Sequence, residues 1–149
     1  MRITKEEAEK LIAMIKKYLG NKEFVFPNSK GKICFEVKGE RRTDDFVVNI
    51  ERKGIDASKM TYQGRVKSNN TILMRIDINP TSIHTNPSGE TIYGSHIHIY
   101  SKDFDIKEAI PINWNDKDPF EACFDFFEKF NIIEYPKIKP DPNQELGLI

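Results

Sequence analysis

The sequence predicts an α+β domain: an antiparallel sheet of about six or seven strands flanked by an N-terminal and a C-terminal helix. Three observations predict it. Helical periodicity with capping residues occurs near the two ends of the chain. Between them lie short alternating segments punctuated by Gly, Pro and Asn. The length, 149 residues, suits one domain with its own core and leaves no room for a second.

The first helix opens on a capping box, Thr4-Lys5-Glu6-Glu7, in which Thr4 receives amides and Glu7 reaches back. Ala8, Leu11, Ile12, Ile15 and Leu19 then recur at helical spacing. Lys16 and Lys17 fall on the water-facing side, and Gly20 is the expected stop. Phe24 to Phe26 is a short strand ended by Pro27. Ile33, Phe35 and Val37 alternate with Cys34, Glu36 and Lys38, the period of a half-buried strand. Phe46 to Ile50 is the next strand.

Met60 to Ile78 reads as a hairpin about Ser68-Asn69-Asn70, with Asn70 left-handed. In that register Tyr62, Val66, Ile72, Met74 and Ile76 share an apolar face. Gln63, Arg65, Arg75 and Asp77 share the polar one, with Leu73 among them. Residues 80–94 carry the turn signal Asn86-Pro87-Ser88-Gly89 and are long enough for a gripping or functional loop. His96 to Tyr100 and Ala109 to Ile112 are strands. The second helix is capped by Asp118, starts at Pro119 and completes its box with Glu121. Its buried stripe is Phe120, Cys123, Phe124, Phe127 and Phe130. The domain spans 1–135. Residues 136–149, with three prolines, read as an extended or mobile tail.

Composition excludes several classes. Lys plus Arg is 23 and Asp plus Glu is 23, so a strongly basic nucleic-acid coat protein is ruled out. No apolar run approaches a membrane span and the first residues lack a signal core, so no membrane association and a cytoplasmic location are expected. Cys34 and Cys123 form no disulfide or metal motif and read as reduced thiols. There is no Gly-rich phosphate loop, nucleophile elbow or dinucleotide fingerprint. The basic loop from Lys38 to Arg42 reads as solvated, and Trp114 as a core or lid aromatic.

The three histidines all lie between positions 84 and 98. His96 and His98, two apart on a strand, point to one face. Tyr100 continues that row, and Ile97 and Ile99 point into the core. Pairing beside the hairpin would add Arg65 and Arg75, with His84 arriving from the preceding loop. Two chemistries use such a set. Metal-independent RNA cleavage needs a base for the 2′-hydroxyl, an acid for the leaving oxygen and cations on the phosphate. Alternatively, two strand histidines and a loop histidine supply three nitrogens to zinc and leave one position open, with Asp77, Asp103 or Asp105 orienting a ring. No His-Glu-x-x-His or paired-Cys signal accompanies the metal alternative.

Arg75-x-Asp77, His84-Thr85-Asn86-Pro87-x-Gly89, His96-Ile97-His98-Ile99-Tyr100 and Ala109-Ile110-Pro111 together resemble a family of small bacterial and phage proteins of unknown function. That family carries a His-x-Asn-Pro-x-Gly element followed by a His-x-His-x-Tyr strand. The resemblance covers positions 72 to 112. It implies a genome-defence, toxin–antitoxin or mobile-element setting and supplies no activity.

The leading expectation is therefore a small RNA-acting protein: a metal-independent endoribonuclease of toxin–antitoxin type, needing no cofactor. His84, His96, His98 and Tyr100 are its candidate catalytic residues, and Arg65 and Arg75 its phosphate holders. Expected partners are RNA or a nucleotide, and a cognate antitoxin or host protein. The alternatives are a non-enzymatic phage or mobile-element inhibitor binding a host protein or nucleotide, and a zinc-dependent hydrolase.

Overall fold

The computed structural model describes residues 3–54, 56, 58–101 and 105–140. In chain order the elements are α1 (Lys5–Ala13), β1 (Lys16–Lys17), β2 (Phe24–Val25), β3 (Gly31–Lys38), β4 (Asp45–Arg52), β5 (Met60–Val66) and β6 (Ile72–Ile78). They continue with β7 (Ile83–Thr85), β8 (Thr91–Tyr93), β9 (His96–Ile99), β10 (Ala109–Pro111), α2 (Pro119–Lys129), β11 (Ile132–Glu134) and β12 (Ile138–Lys139). The main sheet has eight strands, ordered β10-β9-β6-β5-β4-β3-β1-β11, rather than six or seven. It is antiparallel except where β1 meets β11. The pairs β12–β2 and β7–β8 are separate two-stranded units. The extra strands are pieces of two or three residues, too short to show a period in sequence.

Alternation assigns the two faces of the sheet. Phe35, Val48, Ile50, Tyr62, Ile76 and Ile97 lie in the core together with Ala8 and Leu11 of α1 and Phe126, Phe127 and Phe130 of α2. Both helices thus cover the same face. Their starts follow the capping chemistry of the sequence. The Thr4 hydroxyl accepts from the Glu7 amide at 3.0 Å, and an Asp118 carboxylate oxygen accepts from the Glu121 amide at 3.0 Å. Glu7 does not reach back to close its box; its carboxylate accepts from Arg41 at 3.0 Å. Gly64 lies directly under Phe130: a Cβ there would sit 2.5 Å from the ring, so the close approach of α2 requires glycine.

The first helix ends at Ala13, seven residues before Gly20, and Ile15 and Leu19 are exposed. The reason is Lys16. Expected in water, it is 0% exposed. Its ammonium donates to the carbonyls of Ile12 at 2.9 Å, Met14 at 2.9 Å and Phe130 at 2.8 Å. Its Nζ sits 4.9 Å from the Phe46 ring centre and 4.1 Å from that of Phe130. These carbonyls belong to the C-terminal ends of both helices, where the helix dipole favours a cation. Burial pulls the Lys16 pKa down to about 7, against the opposing effect of the Glu40 carboxylate.

Two more irregularities reassign faces. Asn70 takes the left-handed conformation expected of it, with φ 59°. Tyr62 faces Ile76 and Gly64 faces Met74, as the hairpin register requires. Then Arg65 pairs with Ile72 and skips Leu73. This bulge turns Leu73 into the core beside Met74. Just past the end of β9, the Tyr100 amide donates to the carbonyl of the bulged Leu73 at 2.9 Å. Tyr100 joins the core at 6% exposure, and Ile99 is exposed. Ile138–Lys139 pairs in parallel with β2. Residues 141–149 and Asp103 lie outside the described residues. Among the described residues, no helix is long and apolar enough to cross a membrane.

Candidate metal centre

The sheet face opposite the helices carries the polar half of each alternation. In register, His96 of β9 lies across from Asp77 of β6, and His98 across from Arg75. On the other side, His98 faces Ala109 and His96 faces Pro111 of β10. This end of the face is covered by the β7–β8 hairpin, which carries His84. Asn86 pins the hairpin: its side-chain amide donates to the Ala109 carbonyl at 2.8 Å, and its oxygen accepts from the Ala109 amide at 2.7 Å. Gly89, at φ 97°, closes the Asn86–Gly89 turn that keeps this geometry.

The three imidazoles meet beneath the hairpin. The His84 and His96 rings stack with centres 5.3 Å apart, and His98 stands edge-on to both at 5.1 and 4.9 Å. One nitrogen from each ring lies within 4.8 Å of the other two. His96 is 5% exposed and His98 1%, and His84 is half-buried. The outer nitrogens are held by backbone. His84 Nε2 donates to the Lys107 carbonyl at 3.0 Å, and His96 Nδ1 donates to the Gly94 carbonyl at 3.0 Å. A carbonyl only accepts, so these nitrogens carry hydrogen; Nδ1 of His84 is left as a ligand atom, and Nε2 of His96 is turned toward Asp77, a contact that a cation would replace. His98 Nε2 lies 3.3 Å from Arg75 and 3.6 Å from an Asp77 oxygen. In either tautomer, its buried Nδ1 has no hydrogen-bond partner.

Asp77 organises the group. One of its oxygens accepts from Thr61 at 2.9 Å; the other accepts from Arg75 Nε at 3.1 Å and lies 3.3 Å from His96 Nε2. Burial alone would push the Asp77 carboxyl up, but the His96 and His98 imidazoles, Arg75 and Thr61 hold it far below the usual carboxylate range. The bond to Asp77 in turn raises the pKa of His96, against the opposing effect of burial.

The predicted site residues divide cleanly. His84, His96, His98 and Arg75 come together. Arg65 does not: on the same face but further along β5, it donates from Nη1 to Asn49, and from Nε to Asn70 at 3.3 Å. Tyr100 does not either; from the core its hydroxyl donates to the Ile3 carbonyl at 2.9 Å. Of the carboxylates offered as ring-orienting groups, Asp77 is in place. Thr61 and Lys107 belong to no motif in the sequence, where Asn86 reads as part of the turn before the histidine strand. The cross-strand position of Thr61 opposite Asp77 was available from the hairpin register. Trp114 is buried, edge-on to Tyr62.

Two depressions flank the cluster. One, of about 340 Å³, is lined by Glu51, Lys53, Asp56, Lys59 and Asp77 with His84 and His96. The other, of about 390 Å³, is lined by Arg75, His84, His98, Lys107, Pro87 and Ile106. Chemically, three imidazoles, two of them anchored through an outer N–H to backbone carbonyls, with a carboxylate against the cluster, are a donor set that suits a divalent cation. Zinc at about 2.0–2.1 Å from each nitrogen sets ligand atoms about 3.4 Å apart, so closing on it takes about 1 Å of ring movement. No curated protein and no solved structure matches the chain. A family of unknown function, DUF6978, matches residues 3–132, and the chain belongs to that family.

Proposed function

We propose that the protein is a metal-dependent hydrolase in which His84, His96 and His98 hold one zinc-type divalent cation. The observation that carries this reading is the unpartnered, buried Nδ1 of His98 within a cluster whose other outer nitrogens are already bonded to backbone. A core histidine in a purely structural role would be expected to have that nitrogen satisfied. Three protein ligands, not four, and depressions on both sides leave a coordination position for water, the arrangement of catalytic zinc sites. The cation would bring the pKa of that water to about 7 and so supply hydroxide at neutral pH. The Gly94 carbonyl would orient His96 through Nδ1, and Asp77, whose contact with His96 Nε2 the cation would replace, would act as a positioning residue for Arg75 beside His98.

The test is metal analysis of protein purified without a nickel column. One zinc-type ion per chain is expected, lost in His84→Ala, whose half-buried position makes the variant the safest to fold. Absence of any bound ion after exposure to zinc, manganese, cobalt and iron would end the reading.

A second reading, metal-independent RNA cleavage, is favoured by one observation, the Arg75 guanidinium 3.3 Å from His98 beside a half-buried His84. It requires His96 or His98 to exchange a proton with a 2′-hydroxyl, and both are nearly sealed. Cleavage that persists in EDTA and vanishes in His98→Ala would establish it over the metal reading. Stable metal binding with no hydrolysis of any ester would instead favour a non-enzymatic binder.

A further inference from the structure

We propose that the substrate is a phosphate ester and that it reaches the site from the Arg75–Lys107 side. This rests on the metal-dependent reading above. The two depressions flanking the histidines differ in charge. The one beside His96 is lined by three carboxylates, Glu51, Asp56 and Asp77, against two lysines, Lys53 and Lys59. Lys59 is moreover engaged by Asp56 at 3.7 Å. The one beside His98 is lined by Arg75 and Lys107 and, among the described residues, by no carboxylate. An anion is repelled on the first side and attracted on the second.

Arg75 is also built to hold one. Its Nε donates to Asp77 and one Nη lies against His98, so the planar fork is fixed before a ligand arrives. Its other Nη carries no bond among the described residues, and the side chain is 32% exposed. The Lys107 backbone is tied to the cluster, because its carbonyl is the acceptor that anchors His84. An oxyanion between these two cations would lie next to the imidazoles that hold the metal. The pocket, about 390 Å³, accepts a group of nucleotide size.

The reaction is a hydrolysis without redox change. The oxygen of the metal-bound water adds to phosphorus and the ester P–O bond breaks. The leaving oxygen departs with a proton from that water, giving an alcohol and a phosphate. Arg75 and Lys107 neutralise charge on the phosphoryl oxygens as it builds up.

Inorganic phosphate is the first probe, titrated by calorimetry into zinc-loaded and metal-free protein, with zinc content measured on each sample. Binding to the zinc-loaded protein is expected. Lys107→Ala should weaken it by about tenfold, the scale of one lost charge-assisted contact. Arg75→Lys, which keeps the charge and loses the fork, should also weaken it, and Lys59→Ala should leave it unchanged. Zinc bound but phosphate not bound, or bound with sensitivity to Lys59 and not to Lys107, overturns this inference and leaves the metal reading standing. No zinc bound ends the metal reading. The metal-free titration then decides the anion subsite, and equal affinities in wild type and Lys107→Ala would reject it. A nucleoside monophosphate and a short RNA distinguish the source of the phosphate: loss of phosphate from the first or shortening of the second supports the ester class. Hydrolysis of neither by zinc-loaded protein counts against it.

Discussion

Lys16 and His98 are both polar side chains sealed from water, on opposite faces of one sheet, and they are satisfied very differently. Lys16 has three donors and meets three carbonyls, with aromatic rings over the remainder. Nothing more could bind there. His98 has its Nε2 among Arg75 and Asp77 and its Nδ1 bonded to nothing. Burying a polar group without a partner costs about 1–3 kcal/mol on mutational scales. The fold satisfies Lys16 completely and leaves His98 short, as it does Arg52 Nη1 and Glu108 Oε2. Completeness of bonding, more than burial, separates Lys16 from His98.

The largest effect expected follows from the closed region. Lys16→Met fills the same space but leaves three carbonyls at two helix ends without a donor. A loss of about 3 kcal/mol or more in unfolding free energy is expected, read from urea denaturation. The zinc content of the folded fraction should be unchanged, since the metal cluster lies on the other face. A loss below 1 kcal/mol would mean that Lys16 is not the joint between the helices, and the contrast with His98 would lose one side.

Next in size is Gly64→Ala. The added Cβ would meet the Phe130 ring at 2.5 Å, so α2 or the ring must shift, at about 1–3 kcal/mol. Because Phe130 also supplies a carbonyl and a ring to Lys16, this variant and Lys16→Met should be non-additive in a double-mutant cycle. Additive losses would show that the two features are independent.

What the sequence made legible follows the same division. Helix starts at Thr4 and Asp118, the alternating strands and the left-handed Asn70 rest on local chemistry and appeared in sequence as they do in space. So did the shared face of His96 and His98, a consequence of period two. The misread positions all depend on distant partners. Lys16 looks solvated because its acceptors include Phe130, 114 residues away. The Leu73 bulge leaves no compositional mark, yet it moves Tyr100 from the expected site to the core. Arg65 shares a face with Arg75 as expected, and only side-chain bonds to Asn49 and Asn70 turn it away from the histidines. His84 could be placed in a loop but not over the strand, since the Asn86–Ala109 pairing that brings it there is a tertiary contact.

That pairing gives the third prediction, intermediate in size. Asn86→Ala removes two hydrogen bonds between buried groups and frees the hairpin. A loss of about 1–2 kcal/mol is expected, with a larger proportional fall in zinc affinity because His84 is no longer held above His96. Zinc affinity unchanged at reduced stability would assign Asn86 to the fold alone.

The smallest stability effect is expected where the structure is most sealed, at His98. Leucine there, measured in the presence of a chelator, removes the unpartnered nitrogen and keeps an apolar side chain of similar bulk. Asp77 retains Thr61, Arg75 and His96, so no carboxylate is stranded. The loss should stay within about 1 kcal/mol, the range in which site residues are exchanged for packing. Zinc binding should nonetheless disappear. The same substitution in zinc-saturated protein should then forfeit the whole stabilisation that the metal gives to the wild type by mass action. A chelated His98→Leu that unfolds as readily as Lys16→Met would place both buried residues in one class. His98 would then be a structural histidine, and its bare nitrogen no mark of a ligand.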